Sequence, residues 1–515
     1  MDITFVTTEA VPFAKTGGLA DVCGTLPQCL ADRGHTVNVI MPAFRQVFEC
    51  GQQIESTGIE FSVNLRGSEM HGNVLQSQLP IAQAESSAAS AGGRGRRPRV
   101  PVYLIEQPDF FDRPSLYGDA HGDYQDNASR FIFFCRAVLQ VISRVAGSVD
   151  IVQCNDWQSG LIPAYCRLRY DDHSWMHHAK TVMTVHNLAY QGNFWQHDYS
   201  LTDLDYQHFR PAELEFYGHL NLLKAGIMMA DVVTTVSPRY AEEIQTDQHG
   251  CGLQGVLRHR SDRLAGIING IDPLVWDPMS DAYLETPYNV QNWQSGKRDA
   301  RRQLFREMNT EWQLDDDKQR PTLIGLVGRF AYQKGWDLVL EAMQMLIDDD
   351  DPLRFIVLGS GDADYERQLR QIAEERPDRL ALHVGFSDRL AHLIESASDA
   401  FAMPSRYEPC GLNQLYSLRY GTVPIVNPTG GLADTVVDSS AETLSSRQAT
   451  GFYLRDYSGT GLANSIRSAS AVRREEPENW SQIVETGMKQ DWTWRRSAVR
   501  YEQLYANTLA LAKES

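Results

Sequence analysis

Lys15 and the six residues behind it, Thr16-Gly17-Gly18-Leu19-Ala20-Asp21, place a cation and two glycines ahead of an apolar helical pattern. The same six letters return as Thr429-Gly430-Gly431-Leu432-Ala433-Asp434. Glycines at a helix start let an anion approach the backbone, where unbonded N–H groups and the helix dipole favour negative charge. Lys15 supplies a point charge for a phosphate, and Asp21 could accept hydrogen bonds from sugar hydroxyls. For one such turn a plain strand-to-helix connection is the better account. Two turns, each behind an apolar strand-like run, would suit a diphosphate sugar held from two sides. Neither a Gly-x-Gly-x-x-Gly run nor a Walker A sequence occurs, which removes the main support for dinucleotide and ATPase chemistry.

The elements around these residues are legible. Ile3–Thr8 reads as a buried strand, Leu19, Val22, Leu26 and Leu30 mark a helix face that Gly34 closes, and Thr36–Met41 is a second strand. That is a βαβ unit, which requires a parallel sheet with a right-handed crossover. Further strands are predicted at Val100–Ile105, Ile151–Cys154, Thr181–Val185 and Val232–Val236. A second series starts near Thr322: a strand through Gly328, a helix face of Trp336, Val339, Leu340, Met343 and Leu346, then strands at Phe355–Leu358, Leu380–Val384, Ala400–Met403 and Thr422–Val426. Two doubly wound α/β domains follow, dividing near the turn-rich Asn269–Pro273. We place them at residues 1–268 and 269–490, with an amphipathic helix in 491–515. The Ala/Ser-rich, then Gly/Arg-rich segment Ala82–Arg99 cannot bury a core and is expected to be a disordered insertion.

The bulk composition excludes several function classes. A chain of 515 residues exceeds what one core supports, and a formal net charge of −18 argues against a non-specific binder of nucleic acid or anionic membrane. The eight cysteines are scattered without a Cys-x-x-Cys pair, so neither zinc nor a disulfide framework is indicated. No stretch has the length of a membrane span, and the N-terminus lacks a signal-peptide pattern, so a cytoplasmic protein is expected. Asp315–Asp317 and Asp348–Asp351 only superficially resemble a metal-binding Asp-x-Asp and read as solvated loop charge.

Several motifs in register carry a resemblance. Lys15–Asp21, Thr184-Val185-His186-Asn187-Leu188-Ala189-Tyr190-Gln191-Gly192, Gly328-Arg329-Phe330-Ala331-Tyr332-Gln333-Lys334-Gly335, Pro404-Ser405-Arg406-Tyr407-Glu408-Pro409-Cys410-Gly411-Leu412 and the second hexapeptide together resemble the bacterial glycogen synthase and plant starch synthase family. The resemblance implies a GT-B fold, two Rossmann-like domains facing across a deep cleft. It also implies transfer of glucose from ADP-glucose to the 4-OH of an α-1,4-glucan end, with retention and release of ADP. Arg329 and Lys334 then match the cations that bear the leaving-group charge. Glu408 would contact the transferred glucose, His186 would line its pocket, and Asn269 would touch the sugar. Lys15, Gly17, Gly18 and Asp21 would hold the donor from the N-terminal side. Cys410, Gly411, Leu412, Thr429, Gly430 and Gly431 would hold it from the C-terminal side, the second hexapeptide offering N–H groups to the diphosphate. Asp156-Trp157 matches an acceptor-side pair whose indole could stack on sugar, and Tyr117 matches a tyrosine of the cleft.

Three positions depart from the family pattern: Gln158 for its usual His, Asn413 for Thr or Ser, and Tyr416 where related transferases carry a second Glu. With Arg329 and Lys334 present no metal is required, and no lysine has the context of a pyridoxal-phosphate Schiff base. The same chemistry with UDP-glucose or another acceptor, and a non-catalytic glucan binder, are the alternatives; the set Lys15, Arg329, Lys334 and Glu408 speaks against the binder.

Overall fold

A computed structural model describes residues 1–80, 98–119, 121–168, 170, 173–312 and 320–511. Of the expected insertion Ala82–Arg99 all but the last two residues lie outside this set, as does Asp315–Asp317. The chain divides into two compact units, Met1–Gly270 with Trp494–Ser515, and Ile271–Thr493.

The first unit is built on β1 (Asp2–Val6), β2 (Thr36–Pro42), β3 (Glu55–Leu65), β4 (Ser68–Gln78), β5 (Pro101–Glu106), β8 (Ile151–Asn155), β9 (Lys180–Val185), β13 (Val232–Thr235) and β14 (Leu264–Gly266), ordered β14-β13-β9-β8-β1-β2-β5-β4-β3. A short hairpin of β6 (Gly118–Asp119) and β7 (Gly122–Asp123) lies beside Tyr117. A separate antiparallel sheet joins β10 (Asn193–Trp195), β12 (His219–Asn221) and β11 (Glu215–Phe216), in the order β10-β12-β11. β1, β8 and β9 are buried on both faces, which is why they read as continuous apolar runs. The helix Gly18–Asp32 buries the predicted Leu19, Val22, Leu26 and Leu30. Gly34 follows at φ 93°, a conformation that favours glycine.

Two features escaped the sequence reading. β3 and β4 form an antiparallel hairpin at the sheet edge, and half of its side chains face water, so its apolar signal is weak. The small β10-β12-β11 sheet has strands of only two or three residues, too short for a period to register. The last helix, Trp494–Ala510, returns to the first unit: Tyr505 Oη donates to Gln153 Oε1 at 3.0 Å and Ser497 Oγ to the Ile268 carbonyl at 2.7 Å.

The second unit is an all-parallel sheet of β15 (Thr322–Val327), β16 (Leu353–Gly359), β17 (Leu380–Val384), β18 (Ala400–Met403), β19 (Val423–Val426) and β20 (Phe452–Tyr453), ordered β17-β16-β15-β18-β19-β20. That is the doubly wound Rossmann order, in which the strand sequence reverses between β15 and β18. In the first sheet the reversal falls between β1 and β8. Open α/β sheets bind ligands outside the carboxyl ends of the strands at these reversals. The loops that follow β1, β8, β15 and β18 carry Lys15, Asp156, Arg329 and Glu408.

Candidate active site

In the first unit the site is organised by a residue that the sequence reading missed. Glu9, just past β1 and 4 % exposed, accepts hydrogen bonds from the Thr16 N–H (2.6 Å), the Gly17 N–H (3.2 Å), Thr16 Oγ1 (2.7 Å) and Tyr117 Oη (2.8 Å). Charge-assisted bonds of this kind contribute about 1.5–3 kcal/mol each, and a buried carboxylate that lost them would carry its full desolvation cost. The expectation that the first glycine turn leaves these N–H groups for a ligand is therefore corrected: the protein's own carboxylate holds Thr16 and Gly17. Gly17 and Gly18 remain exposed, and Lys15 Nζ lies 2.8 Å from Asp21 Oδ1 in a partly exposed pair. Tyr117 joins this network, since its hydroxyl also sits 2.7 Å from Thr8 Oγ1.

The loops after β8 and β9 interlock beside it. Asp156 has φ 54° and ψ −178°, a backbone conformation used almost only by glycine, which costs another residue on the order of 1–3 kcal/mol. Its carboxylate accepts the His186 N–H at 2.8 Å, while its own N–H donates to the Thr184 carbonyl at 2.9 Å. Burial pushes the Asp156 carboxyl up to about 7, with Glu9 adding to the rise and the N–H groups of His186 and Asn187 opposing it. Burial also lowers the His186 ring to about 3, so it is neutral at physiological pH. Asn155 donates from Nδ2 to the Val6 carbonyl and presents Oδ1 to His186 Nε2 at 2.9 Å. This network assigns the proton to Nε2 and leaves Nδ1 as an acceptor.

Trp157 does not offer its indole to a sugar. It is 8 % exposed, lies edge-on to Phe131 and Phe194, and Gly192 packs against it so closely that a Cβ there would fall 2.3 Å from the ring. The departing Gln158 is buried, and among the described residues its Oε1 has no hydrogen-bond partner. Asn269 is 5 % exposed, and among the described residues its Oδ1 is likewise an unpartnered buried acceptor.

In the second unit Lys334 Nζ lies 2.6 Å from Glu408 Oε2, and Ser405 Oγ donates to the same oxygen at 2.9 Å. Glu408 is buried and Arg329 exposed; among the described residues Arg329 pairs with no carboxylate. The loops that bear these groups are clamped by Arg406. Its guanidinium takes both oxygens of Asp337 (2.8 and 2.6 Å), bonds the Tyr332 carbonyl and stacks 3.4 Å over the Tyr332 ring. Gly335, at φ 74°, lets this turn press on the Pro404 carbonyl, which a Cβ would meet at 2.1 Å.

The second hexapeptide backs Glu408 rather than presenting its amides. Gly430 adopts φ 46°, and a Cβ on it would fall 2.1 Å from the Glu408 carbonyl; one on Gly431 would fall 2.0 Å from that of Cys410. The Gly431 N–H donates to the Glu408 carbonyl at 3.1 Å, so the expectation that it is offered to a diphosphate is corrected. Thr429 and Cys410 are buried beside it, Gly411 turns at φ 71°, and Leu412 precedes the helix Asn413–Tyr420. Asn413 Nδ2 donates to the Val327 carbonyl at 2.9 Å, binding that helix to the end of β15, and Tyr416 stacks on Trp276 at 3.6 Å. Both departures thus have structural uses. Asp349 and Asp351 pair with Arg467 and Asp350 with Arg379, while Asp348–Asp350 stay exposed, so this run is solvated charge that also makes surface ion pairs.

The chain is similar to known proteins along its whole length. Residues 2–259 match the family model of the starch synthase catalytic domain, and residues 310–486 match glycosyl transferases group 1. Curated relatives include the glycogen synthase of Rhodopirellula baltica, 49 % identical with 99 % of this chain and 98 % of that protein covered. Another is the glycogen synthase of Syntrophotalea carbinolica, 40 % identical with 99 % of both covered. Among solved structures, the catalytic domain of starch synthase IV from Arabidopsis thaliana, bound to ADP and acarbose, superposes with a TM-score of 0.86 at 28 % identity over 99 % of both chains. A sucrose-phosphate synthase from Thermosynechococcus elongatus shares the fold, with a TM-score of 0.58 at 16 % identity over 99 % of this chain and 100 % of that one.

Proposed function

This chain belongs to the bacterial glycogen synthase and plant starch synthase family of two-domain GT-B glycosyltransferases, and on that footing we propose how its own residues act. The chain transfers glucose from ADP-glucose to the non-reducing end of an α-1,4-glucan, retaining the anomeric configuration and releasing ADP. The bond from C1 to the distal phosphate oxygen breaks as the acceptor's 4-oxygen bonds to C1 from the same face, negative charge gathers on the departing phosphate, and that phosphate takes the 4-hydroxyl proton. Cations fixed in advance where that charge develops lower the barrier most. The observation that carries the reading is the placement of Arg329 and Lys334 on the loop after β15, with Lys334 2.6 Å from the buried Glu408.

Arg329 bears the leaving-group charge with its planar fork and Lys334 with a compact one. Glu408, held beside Lys334, supports positive charge at the anomeric carbon. His186, being neutral, lines the sugar pocket as a hydrogen-bonding ring rather than as a cation. Lys15 and Asp21 serve the donor from the first unit, Asn269 takes a sugar hydroxyl, and the loops of Cys410–Leu412 and Thr429–Gly431 shape the diphosphate site. We propose no metal, because the leaving-group charge already has two cations. Among the described residues no helix is long and apolar enough to cross a membrane, and we place the reaction in the cytoplasm.

The test offers labelled ADP-glucose and UDP-glucose separately, with glycogen as primer and chelator present. Label from ADP-glucose alone is expected. Label only from UDP-glucose overturns the donor, and no label from either donor overturns the synthase in favour of a glucan binder.

A further inference from the structure

One face of the small antiparallel sheet in the first unit carries aromatic rings that the chemistry above does not use. β10, β12 and β11 pair so that Trp195 stands opposite His219, and His219 opposite Phe216. Residues opposite one another in paired strands share a face, so these three form a row across the sheet. The next row, Phe194, Leu220 and Glu215, belongs to the other face, where Leu220 is wholly buried and Phe194 lies 5.7 Å from Trp157. The Trp195 row is displayed instead: Trp195 is 62 % exposed, with the His197 ring 4.0 Å away.

Tyr217 makes the display hard to attribute to packing. It is 84 % exposed and sits 4.7 Å from Phe216, at the head of the two-residue turn Tyr217-Gly218 between β11 and β12. Its φ is 48°, a position where such turns favour asparagine or glycine and a bulky ring is strained. The chain accepts both strain and exposure to hold this ring in solvent beside Phe216.

We propose that this face is a binding surface for the α-glucan acceptor, its rings stacking on the apolar faces of successive glucosyl units; this rests on the acceptor proposed above. Three strands span ~10 Å, which passes more than one sugar ring. A stable protein partner needs roughly 800 Å² on each side, more than this short row supplies. His219 Nδ1 faces the Phe194 carbonyl at 3.3 Å, so its other nitrogen and the His197 ring are available to sugar hydroxyls. The sheet is also tied to the loop that carries His186: β10 follows Gly192 directly, and the Leu222 and Leu223 N–H groups donate to the Gly192 and Gln191 carbonyls.

The test compares wild type with Trp195→Ala, Tyr217→Asn and the double variant. It uses native gels containing glycogen, and initial rates on glycogen and on a short maltooligosaccharide. Tyr217→Asn installs a residue that the turn prefers, so it should fold at least as well as wild type. Each ring removed is expected to weaken glycogen retardation and raise the KM for glycogen about three- to tenfold, with kcat and the short-acceptor rate unchanged. Retardation equal to wild type in the double variant overturns the proposal. So does a fall in retardation that appears only with a changed sedimentation coefficient, which would make the face a contact between copies. A wild type that binds glycogen through these rings but transfers no glucose would instead defeat the synthase reading and leave this surface standing.

Discussion

The two copies of Thr-Gly-Gly-Leu-Ala-Asp are spelled alike and built differently. In the first, Gly17 is exposed with extended backbone (φ −160°), and no atom would lie within 4 Å of a Cβ added to it. Its N–H and that of Thr16 are drawn inward onto the buried Glu9. In the second, Gly430 holds φ 46° with the Glu408 carbonyl where its Cβ would be, and the Gly431 N–H bonds that same carbonyl. The first pair of glycines keeps an exposed turn open beside Lys15. The second lets two backbones touch, and so fixes the peptide of Glu408. Identical sequence therefore does not mean identical duty: what each copy does is set by the carboxylate beneath it or the carbonyl against it.

The contrast can be broken from either side. The largest effect is expected from Arg329→Ala, which removes a cation aimed at developing charge: kcat should fall by about 10²–10³-fold with the melting temperature held. A loss confined to KM would make Arg329 a binding residue only. Glu9→Gln comes next. It keeps shape but loses the charge that holds Thr16 and Gly17, and kcat/KM should fall by roughly 10- to 100-fold. Unchanged kinetics would mean that the turn does not need its carboxylate.

The equivalent glycines should respond in opposite ways. Gly430→Ala meets backbone at a left-handed φ and should lower the melting temperature by several degrees, from a cost on the order of 1–3 kcal/mol. Gly17→Ala has open space and extended backbone, so its melting temperature should match wild type. Equal sensitivity in thermal unfolding would erase the distinction drawn between the copies.

The smallest effect concerns pH. The Asp156 carboxylate accepts the His186 N–H, and burial raises its pKa to about 7. Protonation weakens that charge-assisted bond, so kcat/KM should decline as pH falls through 7, and Asp156→Asn should flatten that limb. Stability runs the other way. The folded pKa lies above the unfolded value of about 4, so this group's stabilisation is complete below pH ~4 and lost as pH rises through 7. A rate profile that keeps its acidic limb in Asp156→Asn would assign the limb to another group.

Much of this was legible in the sequence, and the remainder escaped for definite reasons. The parallel strands announced themselves because both faces are buried, and the loops after β1, β9, β15 and β18 carry motifs whose order along the chain marked the family. Glu9 escaped because Thr7-Thr8-Glu9-Ala10 has no period and no motif of its own; its role exists only once β1 sets it under the turn. Arg406 lay inside a quoted motif, yet its use depends on Asp337, 69 positions away. Trp157 misled because an Asp-Trp pair says nothing of Gly192 packed on the indole. The amides of Gly17 and Gly431 misled likewise, since glycine at a helix start permits an anion site without reserving one.

The central claim is that charge leaving with the nucleoside diphosphate is carried by Arg329 and Lys334 on the loop after β15. It is tested most directly by the initial rate of glucose transfer from ADP-glucose to glycogen, in chelator, for wild type and Lys334→Ala at matched melting temperature. The account predicts full wild-type activity and a variant slower by about 10²–10³-fold. A wild type silenced by chelator, or a Lys334→Ala variant near wild-type rate, would contradict it.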